Sequence, residues 1–211
     1  MNFLKKQSPV RIISLGFALV ILIGSVLLSL PCSIRDGVTL RYIDALYMST
    51  SAVCVTGLLT VDAGDTFTPL GQFFLGMLIQ VGGLGVTAVG TGVILAMGKK
   101  INLKARNLDS GKGVIRFIRL VFLTTVTFEL AGAALSFLVF RKSFPPLKAA
   151  GVSLFHSVAS FNNSGFDILG GGQNLIPYQD DVLLNLVTCA LVIFGGIGFL
   201  VIREVIAKRF R

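Results

Sequence analysis

Two short stretches carry the residue types that could do chemistry: Cys54-Val55-Thr56-Gly57 and Asn162-Asn163-Ser164-Gly165. Each brings small, hydroxyl- or amide-bearing residues up to one glycine. Glycine admits backbone angles that turn successive carbonyls toward one axis. A ring of such carbonyls can replace the hydration shell of a monovalent cation. No carboxylate stands at the tip of either stretch, since Asp44 and Asp167 only flank them. Backbone oxygens without carboxylates suit a singly charged ion better than a divalent one. For either glycine alone, a tight turn between helices is an equally good reading; two at matching positions favour coordination.

The elements that must position these stretches are apolar and long. The chain of 211 residues is 54% hydrophobic, carries 14% charged residues against about 25% in soluble domains, and has a mean hydropathy of +0.84. Ile12–Leu30, Leu70–Met97 and Val182–Ile202 contain no charge, and Leu120–Phe140 contains only Glu129. Each matches the ~20 residues that a helix needs to cross a bilayer, which predicts four transmembrane helices. The first run is too long for a signal-peptide core and ends in Leu30-Pro31-Cys32, without a small-residue cleavage site. With the N-terminus inside, most of the 19 Lys and Arg residues fall on cytoplasmic segments. That bias predicts a multi-pass protein of the cell membrane with both termini cytoplasmic. The net charge of +9 then reports topology and headgroup contact, and nucleic-acid binding has no support because the charges flank spans instead of forming one patch.

The chain repeats itself. Leu46, Ser49, Thr56 and Gly57 match Leu154, Ser157, Ser164 and Gly165 at a constant offset of 108, and Gly82-Gly83-Leu84-Gly85 matches Gly195-Gly196-Ile197-Gly198 at 113. The extra residues fall in Gly170–Asp181, read as an insertion in an exposed connection. The predicted fold is an all-α membrane protein of two tandem span–pore helix–span (M1-P-M2) repeats, with four transmembrane helices and two re-entrant pore loops. Residues 1–98 form the first repeat, 99–119 a basic cytoplasmic linker and 120–211 the second repeat. The short helices are expected at about Tyr42–Val53 and Lys148–Phe161, too short to cross. Irregular backbone at membrane depth is tolerated only where protein buries it or where it lines a watery cavity. A helix entering from outside aims its C-terminal carbonyls, with roughly half a negative charge, at the bilayer centre.

With Ser51-Ala52-Val53-Cys54-Val55-Thr56-Gly57-Leu58 in one repeat and Phe161-Asn162-Asn163-Ser164-Gly165-Phe166 in the other, the chain resembles the Trk/Ktr/HKT superfamily of potassium transporters. It looks closest to the Ktr-type membrane subunit, because no extra pair of spans precedes the first unit. Leu70-Gly71-Gln72 through Ile79-Gln80-Val81-Gly82-Gly83-Leu84-Gly85 is similar to the family's motif after the first filter. The resemblance covers essentially the whole chain. It implies that carbonyls of Cys54, Val55, Thr56, Gly57, Asn162, Asn163, Ser164 and Gly165 coordinate K⁺. In the plant branch a serine at the first filter glycine goes with sodium transport, so Gly57 implies potassium. The family builds its pore from four units and this chain carries two. That implies a fragment or split product completed by a C-terminal half, or a homodimer around one pore. A cytosolic nucleotide-binding ring is implied as a regulatory partner by the resemblance alone. The transported ion is the only ligand expected, with no cofactor.

Other polar residues carry less. Glu129 lies within a span, where an ionisable group faces protein or water; a structural carboxyl bonded to a neighbouring helix and direct ion contact are both open. His156 reads as a packed helix residue, with a pH sensor as the alternative. Asp62, Asp65, Asp180 and Asp181 read as solvated loop charges or as a field that gathers cations. The glycines of the two GGxG runs read as helix-packing positions. Three cysteines without ligand spacing and one histidine make a zinc site untenable. Gly92 and Gly98-Lys99 have the wrong spacing for a phosphate loop. An intramembrane enzyme would need convergent acid, base or nucleophile groups, and Glu129 has no matching partner in another span, so no enzyme is expected.

Overall fold

The computed structural model describes residues 9–97, 111–197 and 201. Among them the chain is all helical, with no strand and one isolated bridge, Ile34 to Phe67. The helices are α1 (Pro9–Leu28), α2 (Tyr42–Val53), α3 (Ala63–Thr66), α4 (Pro69–Met97), α5 (Gly111–Phe140), α6 (Pro146–Phe161) and α7 (Val182–Ile197). Short 3₁₀ turns stand at Pro31–Ser33 and Ile176–Tyr178.

The helix starts follow local chemistry. Pro146 occupies the first turn of α6, where its missing N–H costs nothing, so α6 begins two residues before the expected Lys148. The Asp62 carboxylate accepts the Asp65 N–H at 2.8 Å and caps α3. Asp181 does the same for α7, accepting the Leu184 N–H at 2.9 Å. The hydroxyl of Thr68 accepts the Gly71 N–H at 3.2 Å and donates to the Cys32 carbonyl at 2.7 Å, fastening the start of α4 to the chain after α1.

Two compact units make up the chain, and the boundary between them does not follow the sequence repeat. The first comprises Met1–Gly83 and Ser164–Asp180, the second Leu84–Asn163 and Asp181–Arg211. In the first, α1 packs on α2, and Leu28, Ala45, Met48, Ala52, Val53, Leu75 and Ile79 are buried. In the second, α5, α6 and α7 pack on one another around Phe161, Val187 and Leu191. Phe128 stacks on Phe161 and Phe194, with ring centroids 5.9 and 4.8 Å away.

The surface is turned inside out relative to a protein made for water. Along one stripe of α1, Leu15, Leu19, Leu22, Ile23 and Val26 are more than half exposed, while Ser25 is fully buried. Phe122, Leu123 and Leu130 are as exposed on α5, where Thr125 and Ser136 are buried. Apolar stripes of this extent are rare on water-facing surfaces. Hydroxyls and small residues between helices are what a lipid surrounding selects, because apolar burial gains nothing there. Among the described residues, Arg119–Phe140 is long and apolar enough to span a membrane, and Ser14–Leu28, Pro69–Gly85 and Val182–Ile197 are shorter apolar helices. The last residues of the fourth expected span, 198–200 and 202, lie outside the described residues.

Candidate functional site

At the C-terminal ends of α2 and α6 the backbone does the same unusual thing twice. Cys54 ends α2 at φ −84° and ψ −2°, and Asn162 ends α6 at φ −81° and ψ 0°. The next residues, Val55 and Asn163, lie at φ +56° and +59°. Thr56 and Ser164 stay out of the left-handed region, and Gly57 and Gly165 return to it at φ +71° and +72°. The two segments thus take the same positive-φ steps at matching positions. Asparagine tolerates a positive φ, but a β-branched valine there is a genuine outlier, costing about 1–3 kcal/mol. The surroundings of Val55 must therefore impose its conformation.

Those surroundings are named residues. Thr56 donates its N–H to the Ser51 carbonyl at 2.9 Å, and the hydroxyls of Ser51 and Thr56 lie 2.9 Å apart. Val55 donates to Ala52 at 3.2 Å, as Asn163 does to Ser160 at 3.1 Å. The second segment has a side-chain anchor of its own. The Asn162 amide donates to the Val158 carbonyl at 2.9 Å and to the Glu129 carboxylate at 3.3 Å. Glu129 is thus a structural partner of a residue in the predicted coordinating segment.

Glycines set how closely the long helices approach the short ones. A Cβ on Gly82 would collide with the Val53 carbonyl, and one on Gly195 with the Phe161 carbonyl. A Cβ on Gly24 would strike the Ser49 hydroxyl and Leu78, and one on Gly132 the Ser157 hydroxyl and Leu191. These contacts correspond residue by residue between the two halves, with the offsets of 108 and 113 seen in the sequence. The hydroxyls use the proximity: Ser49 donates to the Ile21 carbonyl at 2.8 Å and Ser157 to the Glu129 carbonyl at 2.7 Å. Gly82 and Gly195 therefore have the packing role expected of them. Gly196 is looser, its nearest neighbour being the Asn163 amide at 3.8 Å, and Gly198 lies outside the described residues.

Of the eight predicted coordinating residues, Cys54, Val55, Thr56, Gly57, Ser164 and Gly165 lie in the first compact unit, and Asn162 and Asn163 in the second. Within the first unit the two glycine segments meet: a Cβ on Gly57 would enter the Ser164 carbonyl and lie 3.5 Å from the Gly165 Cα. The cysteines are free and, among the described residues, no group of His, Cys, Asp or Glu could hold a metal ion.

Of the four loop aspartates read as solvated charges or as a cation-gathering field, Asp62, Asp65 and Asp181 accept backbone N–H groups. Asp62 accepts the Gly172 N–H and Asp65 the Gly171 N–H, both at 2.7 Å. Burial raises the pKa of Asp167 above the ordinary carboxylate value, Asp62 and Asp65 adding repulsion while its bond from the Leu169 N–H opposes. Beside α2, Arg41 grips Asp44 through two bonds of 2.7 and 3.0 Å and lowers that carboxylate's pKa. His156 is packed, its Nε2 3.0 Å from the Thr188 hydroxyl and its ring edge-on to Phe140. Sequence reasoning missed Val55 and Asn163 as left-handed residues, Gly24 and Gly132 as close contacts, and Asp62 and Asp65 as acceptors. The repeat itself carried a signal for Gly24 and Gly132, which align at the offset of 108.

The sequence matches the TrkH family, described as a cation transport protein, over residues 12–210. It is 39% identical to the potassium/sodium uptake protein NtpJ of Enterococcus hirae, over 96% of this chain and 46% of that one. The Ktr system potassium uptake proteins B and D of Bacillus subtilis are 38% and 36% identical, over 96% and 97% of this chain and 46% and 47% of theirs. The chain thus spans about half the length of these relatives. Apolar outer faces, buried hydroxyls and this match over nearly every residue lead to one conclusion: the chain is a membrane protein of the TrkH cation transport family and resembles its Ktr-type members.

Proposed function

We propose that this chain contributes two span–pore helix–span repeats to a potassium uptake pathway across the cell membrane. In this reading α1 and α4 are the spans of the first repeat, and α5 and α7 those of the second. The short helices α2 and α6 enter the membrane from outside and return, with both termini cytoplasmic. Carbonyls of Cys54–Gly57 and Asn162–Gly165 coordinate K⁺ as it passes. The observation that carries the reading is the repeated left-handed pattern, Val55 and Gly57 in one half and Asn163 and Gly165 in the other, placed directly after a short helix each time. The C-terminal end of each short helix adds negative potential at the start of its segment.

Potassium is the favoured cargo because the proposed ligands are backbone oxygens without carboxylates, and because the family resemblance associates a glycine at position 57 with potassium. The names of the Bacillus relatives specify potassium uptake, and that of the Enterococcus relative potassium and sodium. Two segments are half of the four that a closed ring of this family needs. A second copy of the chain or a complementing C-terminal half supplies the others, and a cytosolic nucleotide-binding ring is the regulatory partner. The alternative, which rests on the same family resemblance, is a non-transporting fragment or assembly subunit of a split four-repeat cation (K⁺/Na⁺) transporter.

The test is flux. The 211-residue chain, purified and reconstituted in liposomes, is compared for K⁺ and Na⁺ entry with Gly57→Ser. K⁺-selective flux that loses its preference on substitution is the expected result. Folded protein with no flux, alone or with a complementing half, would overturn the transport reading in favour of the assembly subunit.

A further inference from the structure

We infer that Asp62 and Asp65 are positioning residues that tie the two glycine segments together on their outer side. The inference rests on the reading of those segments as an ion-selective path. Asp62 caps the turn α3 and Asp65 lies within it, a few residues after Gly57. Their partners, Gly171 and Gly172, follow Gly165 by a similar stretch, and the sequence separations of the two bonds are 106 and 110. The first half of the chain thereby holds the exit of the second segment, inside one compact unit.

The geometry is built for this contact. Gly170, Gly171 and Gly172 lie at φ +88°, +69° and +61°, a run that side-chain-bearing residues do not adopt without strain. That run delivers two consecutive N–H groups, one to each carboxylate, at 2.7 Å. Ordering three glycines is entropically costly, and two charge-assisted bonds offset that cost. The turn and the loop also touch directly: a Cβ on Gly64 would lie 2.5 Å from the Gly170 nitrogen and 2.7 Å from the Ile168 carbonyl. Between the clip and Gly165, Phe166 and Ile168 are buried and Asp167 accepts the Leu169 N–H at 3.0 Å. The link from clip to segment is therefore short and packed. It bears on the contact between Gly57 and Ser164, the point where the two segments meet.

A device of this kind controls ion preference without touching an ion. Coordination by carbonyls discriminates between cations through the number and placement of the oxygens. Releasing the clip lets the second segment shift against the first, and discrimination falls while passage continues.

The experiment combines amide hydrogen exchange with K⁺ and Na⁺ flux on the reconstituted transporter, with its complementing half where flux requires one. Asp65→Ala is the primary variant, because Asp62 also caps α3; Asp62→Ala/Asp65→Ala is the stronger one, and Asp65→Asn keeps an acceptor oxygen. With Asp65→Ala, exchange is expected to rise at 170–172 and to spread to 164–166, and the K⁺/Na⁺ flux ratio to fall severalfold, with Asp65→Asn restoring most of both. Faster exchange at 170–172 with 164–166 still protected and the ratio unchanged would overturn the proposal. Exchange that spreads to 164–166 with no change in ion preference would keep the tie and remove the selective role of the segments it holds. If Asp65→Ala does not fold, the same readings on Asp65→Ser, whose hydroxyl stops one bond short of the Gly171 N–H, decide between these outcomes.

Discussion

The two halves of the molecule share a backbone and differ in what holds it. In the first, the segment Cys54–Gly57 hangs on hydroxyls: Ser51 faces Thr56, and behind them the residue whose carbonyl receives Ser49 is the apolar Ile21. In the second, the matching residue is Glu129, and its carboxylate reaches the amide of Asn162, the counterpart of Cys54. Ser51 has become Ala159, so the hydroxyl pair has no equivalent there. Yet φ agrees within a few degrees at both left-handed positions. What is common to the halves is the set of glycine contacts. The difference teaches that approach distance sets the path of the segment, while either polar anchor serves to lock it.

The hardest way to break that likeness is to add a methyl where the helices touch. Gly195→Ala places its Cβ in the Phe161 carbonyl, and backbone has no rotamer with which to yield. Overpacking of this kind costs typically 1–3 kcal/mol, and a backbone clash sits at the top of that range. Gly196→Ala next to it meets nothing closer than 3.8 Å. The expected outcome is a large drop in detergent-extracted, monodisperse protein and in thermal midpoint for Gly195→Ala, with Gly196→Ala close to the parent. Equal behaviour of the two would show that approach distance is not the shared determinant.

The second prediction exchanges the anchors. Glu129→Gln keeps an oxygen for Asn162 and is expected to leave folding and flux near the parent. Glu129→Leu leaves a half-buried amide short of one partner, a loss of about 1–3 kcal/mol, read as a lower thermal midpoint. The sharper form is a cycle in the first half. Ile21→Glu alone places a carboxylate at a half-buried position without an assigned partner, and Cys54→Asn supplies the amide that the second half uses. The double variant should recover part of what Ile21→Glu loses, by a coupling of about 0.5–3 kcal/mol. Additive effects would mean that the two halves are not equivalent at these positions.

The sequence carried the helices and the location of the segments because both leave strong local marks. Uncharged runs announced the helices, and a glycine repeated at a fixed offset announced the segments. What it did not carry were relations between distant residues. Asp62 and Asp65 look like ordinary loop charges, since their partners are backbone N–H groups more than a hundred residues away. The insertion at Gly170–Asp181 looked like a free connection for the same reason. Gly24 and Gly132 sit inside apolar runs, where a lone glycine is unremarked until a serine of the neighbouring helix is found against it. The start of α6 was readable, and Pro145-Pro146 marked it better than the apolar pattern did.

Val55 was illegible for a different reason: nothing in a valine suggests a left-handed backbone, and its propensity argues against one. That mismatch yields the smallest effect and the finest test of the comparison. Asn163 meets the same geometry with a residue that tolerates it, so Val55→Asn makes the first segment resemble the second at the strained position. Relief of the strain should stabilise the protein by up to about 1 kcal/mol, the scale of well-placed backbone substitutions, and is read as a higher thermal midpoint. Val55→Gly removes the Cβ conflict too but frees the unfolded chain, so it should gain less than Val55→Asn. If selectivity also stays constant, the strain at Val55 is a tolerated relic of the first half. If the stabilised variant loses its preference for K⁺, the strain belongs to the mechanism, and the stiff valine side chain is what keeps the carbonyls of the first segment in place.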